Sequence, residues 1–360
     1  LAATRMMTPV QTEIPVSDRA ANPESVISPH FVRGLDSFRF IAASVVAAGH
    51  GGWIPFDRIF GAVPGPLKVI AGIWDAVPNG TLAVCVFFFI SGFCIHFPNI
   101  GKERVLIGSF LIKRFVRIGL PLLAIIALAH AAGAHYVAGL DAVLWSVYCE
   151  LAYYALYPLL FRAIHRQTLR AIAVSVVISA LVLAFHPMAA RPWNFGVLTF
   201  LFCAPMWLLG AHLAERYRDG SLFVAKLPSV WLLRAALPVY AVAAIFLFYH
   251  APIHIPLTLS VAAFVPAGYL WLAAELQRLT SHGMSERLER LGVAAYSMYL
   301  THRFALTFFA DHLASWPTIL FYGLQAIAIG IATFAFYRLV EKPSHRLAKK
   351  LGAAWDVAAG

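Results

Sequence analysis

Charge is what this chain has least of. Only 12% of its 360 residues are Asp, Glu, Lys or Arg, against 61% hydrophobic, and the mean hydropathy is +0.75. Soluble domains carry about twice that charge, so an ordinary water-soluble globule is excluded. Acid is scarcer still, with 17 Asp and Glu against 28 Lys and Arg and a formal net charge of +11. Basic residues beside a membrane, facing anionic lipid, account for most of that excess, so no nucleic-acid partner is implied. Cysteine is sparse, and Cys85, Cys94, Cys149 and Cys203 all fall inside apolar segments as small core residues. That pattern offers neither a disulfide framework nor metal-type pairing, and no metal is expected. Internal repeats, low-complexity tracts and long linkers are missing too. Residues 1–32 lack an apolar h-region, so the first helix is expected to be an uncleaved anchor, with Met6 or Met7 as an alternative start.

Long apolar runs are what the chain does have. Spans of about 17–25 residues can be placed at 38–56, 82–98, 110–132, 143–161, 171–187, 195–214, 235–250, 256–274, 293–311 and 318–339. The expectation is an all-α polytopic membrane protein, about ten helices in one bundle. Lys and Arg gather in alternate connections, such as Lys102 and Arg104, Arg162 and Arg166, Arg216 and Arg218, and Arg287 and Arg290. The intervening connections hold only Arg58, Lys68 and Arg191. Both termini are therefore expected to be cytoplasmic, as a polar tail (1–32) and a basic tail (344–360) around a membrane domain at 33–343. The segment 57–81, rich in Gly and Pro, is expected to be an outer loop able to cover a cleft. Trp53, Trp74, Trp145 and Trp193 fall near outer span ends, as an aromatic belt would have them.

Ionisable groups inside such spans are costly and usually functional. In RGLDSFRFIAASVVAAGH (33–50), Asp36 lies three positions before Arg39 and can pair with it, and His50 lies eleven beyond Arg39. Eleven steps of about 100° close to within roughly 20° of whole turns, which puts all three on one face, with His50 about 16 Å along a continuous helix. In VFFFISGFCIHF (86–97), Ser91 and Gly92 interrupt a bulky run, and close helix packing alone would explain them. In FLIKRFVRIGLP (110–121), Arg114 and Arg117 share a face and could clamp a phosphate, while each basic residue, Lys113 included, could equally be a charge anchor. Glu150 in LWSVYCELAYYALYPLL (144–160) is followed along its face by Tyr153, Tyr154 and Tyr157, and reads either as functional or as a helix-locking hydrogen-bonding group. His302, in AAYSMYLTHRFAL (294–306), is placed at the depth of His50, which suggests a shared cavity. Pro343, in RLVEKPSHRLAKK (338–350), reads as a helix stop, with Glu341 neutralising a neighbouring cation. The remaining histidines, His96, His165 and His345 among them, are expected at interfaces or in solvent.

In this order, the six segments resemble the acyltransferase-3 family of integral membrane O-acyltransferases, in a form without a fused SGNH hydrolase-like domain. The resemblance runs from the first helix to the last. It implies an acyltransferase domain at 33–343, transferring acetyl or sometimes succinyl from cytoplasmic acyl-CoA to a hydroxyl of a carbohydrate or lipid-linked sugar, such as exopolysaccharide or lipopolysaccharide, in the cell inner membrane. On that footing His50 is the expected base, supported by Glu150, Arg39 and Asp36. Lys113, Arg114 and Arg117 are expected to grip the CoA phosphates, with Ser91 and Gly92 leaving space for the thioester. Tyr153, Tyr154 and His302 are expected around the acceptor. One departure is Arg303, polar where the family often has a less polar residue. The alternative from another class is a proton-coupled transporter or exporter of a glycolipid or sugar, relaying protons through His50, Glu150 and His302.

Overall fold

The computed structural model describes residues 27–28, 31–249, 252 and 254–358. Most of the expected 1–32 tail, with His30, lies outside them, as does His250. A short antiparallel pair, β1 (Ile27–Ser28) with β2 (Phe31–Val32), leads into fifteen helices. They are α1 (Leu35–Ala47), α2 (Phe56–Phe60), α3 (Leu67–Ala76), α4 (Gly80–His96), α5 (Ile107–Ala132), α6 (Ala134–Arg166), α7 (Thr168–Phe185) and α8 (Thr199–Arg218), then α9 (Ser221–Val224), α10 (Val230–Tyr249), α11 (Leu257–His282), α12 (Glu286–Gly292), α13 (Ala295–His312), α14 (Thr318–Phe336) and α15 (Lys342–Ala358).

The ten expected spans fall on α1, α4, α5, α6, α7, α8, α10, α11, α13 and α14. Seven membrane-crossing segments are found among the described residues by length and apolar composition, and α1, α6 and α13 are outside that set. Those three helices carry Arg39, Glu150 and His302. The polar groups are shielded because the helices meet one another, α13 packing against both α1 and α6. A helix that is less apolar than its neighbours is stable in lipid only when its polar side turns inward.

Glycine sets the closest approach in the bundle. A Cβ on Gly92 of α4 would meet the Trp207 carbonyl oxygen, and one on Gly210 of α8 would meet that of Phe89. The two backbones are therefore in contact along α4 and α8, the geometry small residues permit.

The start of α1 is closed from a distance. Gly34 at its cap has φ 102° and no side chain, so Glu289 of α12 supplies the missing acceptor, taking hydrogen bonds from Gly34 N–H, Ser37 N–H and the Ser37 hydroxyl. The far end departs from expectation. The α-helical winding stops at Ala47, and residues 48–52 form a wider π-type turn in which Gly51 has φ 123°. His50 thus sits at the helix end rather than near the middle of a span. The run Gly49-His50-Gly51-Gly52 explains this, since glycines resist α-helical order and only glycine reaches that φ readily.

Two further expectations are corrected. Residues 57–81 are not a bare loop but carry α3 and most of α2, closed by Trp53 Nε1 donating to Trp74 O (3.0 Å) and Trp74 Nε1 donating to Ile54 O (2.8 Å). Pro343 does not stop the chain's helical course. α14 runs on into α15 through a wider π-type turn at Tyr337–Glu341, whose loosened hydrogen bonding accommodates the missing N–H of Pro343, and the basic tail is a helix packed on α5.

Candidate active site

Between α1, α4, α5, α6 and α13 lies a cavity of about 490 Å³. Of the residues singled out from sequence, Asp36, Arg39, Ser91, Arg114, Arg117, Glu150 and Tyr154 line it. Arg39 Nη1 donates to Asp36 Oδ1 at 2.5 Å, so this pair is internally neutralised. Glu150 Oε1 accepts from the Ser91 hydroxyl at 2.8 Å and from the Tyr154 hydroxyl, while Trp207 Nε1 donates to Ser91 Oγ at 3.3 Å. The single proton of Ser91 is thereby directed at the carboxylate, and the chain Trp207–Ser91–Glu150–Tyr154 fixes where that carboxylate sits.

Arg114 and Arg117 differ from Arg39. Neither has a carboxylate within 4.0 Å among the described residues. The Arg114 guanidinium lies 5.8 Å from the Phe110 ring centre and 5.9 Å from that of Tyr154, and Arg117 Nε donates to His345 Nε2 at 3.0 Å. Two half-buried guanidinium groups on one wall, held by rings and an imidazole rather than by carboxylates, leave forked donors for an anion.

The two histidines placed at one depth do come together. His302 Nε2 is 3.3 Å from His50 Nδ1, and the rings are 5.3 Å apart. Their hydrogen bonds settle the tautomers. His302 Nδ1 lies 2.7 Å from Tyr299 O and 3.2 Å from Met298 O, both acceptors only, so it carries the proton and Nε2 the lone pair. His50 Nδ1 then faces two acceptors, Val46 O at 2.9 Å and His302 Nε2, and must be the protonated nitrogen. His50 Nε2 is left with a lone pair, the form a base requires. Arg303 does not compete for that nitrogen, since its Nη1 donates to His50 O (3.2 Å) and its Nε to Gly139 O (3.0 Å). The histidine pair does not line the cavity. Tyr299 does, and its ring lies 5.9 Å from that of His302, so it stands between the two.

Three residues singled out from sequence point elsewhere. Lys113 Nζ lies 2.9 Å from Asp356 Oδ2 and its stem packs on Gly352 of α15, away from the cavity. Gly92 is occupied by the backbone of α8 and leaves no room for a ligand. The Tyr153 hydroxyl donates to Phe200 O at 2.7 Å, pinning α6 to the start of α8. Sequence reasoning assigned no place in the cavity to three other lining residues, Tyr299, Glu341 and His345. Tyr299 donates to Val143 O at 2.7 Å and accepts from Ser146 Oγ at 2.7 Å, and buried Glu341 accepts from Ser297 N–H (3.0 Å) and the Ser297 hydroxyl. His345 lines the cavity beside Arg117. Buried His96, expected at an interface, instead bonds Tyr157 and Glu215. Its signal was that His96, His165 and Glu215 each lie in the last turns of helices ending on the same expected side.

No curated protein and no solved structure matches the chain. A family model described as an acyltransferase domain matches residues 32–338, from the end of β2 into the π-type turn between α14 and α15. That match takes in the arginine-lined cavity and the histidine pair alike, and the chain belongs to the acyltransferase-3 family of membrane proteins.

Proposed function

We propose that the chain moves an acyl group, acetyl foremost and succinyl as the alternative, from acyl-CoA to a hydroxyl of a carbohydrate or lipid-linked sugar. The observation that carries this reading is the pair Arg114 and Arg117, facing a cavity with no carboxylate within 4.0 Å of either among the described residues. An anion is the complement such a wall calls for, and the CoA phosphates supply it in forked geometry. Glu150, held by Ser91 and Tyr154, orients a polar group of the substrate in the same cavity. The acyl end passes Tyr299 to reach His50.

At His50 the balance of the reaction is simple. Nε2 takes the proton of the acceptor hydroxyl while that oxygen attacks the thioester carbonyl carbon. The C–S bond breaks, and the leaving thiolate takes the proton from His50, which restores the starting tautomer. His302 Nε2 accepts from His50 Nδ1–H and so leaves the lone pair on His50 Nε2 before and after each transfer. An acyl-His50 intermediate is the competing course, and protein-bound label in the absence of acceptor distinguishes it. The distribution of Lys and Arg supports an inner-membrane protein with both termini in the cytoplasm.

The test is to incubate reconstituted protein with radiolabelled acetyl-CoA and host membrane extract, comparing wild type with His50→Ala at matched protein level. Label entering carbohydrate in the wild type and lost in His50→Ala is the expected result. Full transfer by His50→Ala would sink the assignment of the base. Proton-coupled sugar flux without acyl-CoA, in a protein that binds no CoA, would replace the reading with a transporter.

A further inference from the structure

One cluster of ionisable groups takes no part in the proposed transfer. His96 in the last turn of α4, His165 in the last turn of α6 and Glu215 near the end of α8 each bring one ligand atom to within 4.8 Å of the others. His96 Nε2 is 3.0 Å, and His165 Nδ1 3.8 Å, from the same oxygen, Glu215 Oε1. Donors around a tetrahedral zinc at about 2.1 Å stand about 3.4 Å apart, a value those two separations bracket. His96 is wholly buried, and the Nδ1 atom of His165 is buried with no hydrogen-bond partner. A buried ring nitrogen without a partner, aimed at a carboxylate oxygen, is the arrangement that a metal ligand presents.

The surroundings fit as well. Ligating side chains are normally steadied through their other polar atoms. Tyr157 OH is 2.9 Å from His96 Nδ1, and the Thr168 hydroxyl, shared between Ile164 O and Glu215 Oε2 at 2.6 Å from each, steadies the carboxylate. A recess lined by Lys102, Glu103, Arg162 and Arg166 lies beside His165, with room for water. The basic rim repels a loosely held hydrated dication, so occupancy depends on direct bonds to the inner donors. Two imidazoles and one carboxylate favour zinc over magnesium or calcium.

We propose that His96, His165 and Glu215 form a zinc site that ties together the ends of α4, α6 and α8. Without metal, the contact of His96 Nε2 with Glu215 needs a proton between two otherwise repelling lone pairs. Zinc displaces that proton, which moves to the other nitrogen of the neutral ring. His96 Nδ1 then carries the ring proton and donates to the Tyr157 oxygen. This site is independent of the acyl-transfer reading, and its test needs no substrate.

The full chain, purified in detergent with its affinity tag removed, is dialysed with zinc and then against metal-free buffer, and its metal content is measured. About one zinc per chain is expected, with none retained from magnesium. His165→Ala, a half-exposed position, and Glu215→Gln each lower zinc affinity by on the order of 100-fold, and Thr168→Val by about tenfold. Cobalt in place of zinc gives the visible absorption of a tetrahedral site in the wild type and loses it in His165→Ala. Folded wild type that holds no zinc at micromolar concentrations overturns the proposal, as does equal zinc in wild type and both ligand variants.

Discussion

Replacing Glu289 with Ala removes the acceptor that closes the N-terminus of α1. Its carboxylate takes three hydrogen bonds, from Gly34 N–H at 2.8 Å, Ser37 N–H at 3.1 Å and Ser37 Oγ at 2.9 Å. The helix has no side-chain cap of its own, and Ser37 is wholly buried, so water does not readily take over its donors. Bonds to a charged acceptor are worth about 1.5–3 kcal/mol each. Glu289 itself is only half-buried, and water entering its place recovers much of that sum. A lost cap of about 1 kcal/mol plus one or two stranded donors gives a net destabilisation of about 2–3 kcal/mol. For a chain of this size that is a fall in Tm of about 4–6 °C. The chain carries its own reporters, since Cys85, Cys94, Cys149 and Cys203 are free thiols and all at least half-buried. A fluorogenic thiol dye therefore follows opening of the bundle on heating. Glu289→Gln keeps one acceptor oxygen and loses about half the effect. Glu286→Ala, three residues earlier on α12, bonds nothing on α1 and shifts stability by no more than about 0.5 kcal/mol. A Glu289→Ala protein that melts with the wild type refutes the reasoning.

Arg114→Ala and Arg117→Ala each raise KM for acyl-CoA by about 10–100-fold, the loss of one charge-assisted contact. Lys113→Ala leaves KM unchanged because its ammonium serves Asp356, and equal effects of all three in steady-state kinetics would overturn that division. Gly92→Leu drives a side chain into the Trp207 carbonyl at the crossing of α4 and α8, costing about 3 kcal/mol or more and the yield of monodisperse protein in size-exclusion chromatography. Gly119→Leu, which meets nothing within 4 Å, keeps that yield.

The apolar helices were legible because a run of about twenty apolar residues has few alternatives in water. What periodicity missed, it missed for local reasons. Counting 100° per residue through Ala48-Gly49-His50-Gly51-Gly52 assumes an α-helix where a glycine run supports none, and the glycines themselves were the warning. Pro343 was read as a stop, although a π-type turn just before it lets a helix continue past a proline. Other placements depend on partners far along the chain. Whether Lys113 or Arg114 faces the cavity is decided by α15, whose Asp356 lies 243 residues from Lys113. His96 looked interfacial because Tyr157 and Glu215 lie 61 and 119 residues away. The pairing of His50 with His302, by contrast, was suggested by counting depth on two helices, and the 3.3 Å contact brings those rings together across 252 residues of sequence.

Tyr299 bears on leakage. Its hydroxyl is held by Val143 and Ser146, so the ring is braced in the wall of a polar cavity, beside His302. A membrane protein that hollows out its interior for a charged ligand endangers the ion gradients its host lives on. On the proposed reading, a braced aromatic between the cavity and the histidine pair lets the cavity be wet without becoming a pore, while an uncharged acyl chain slips past it.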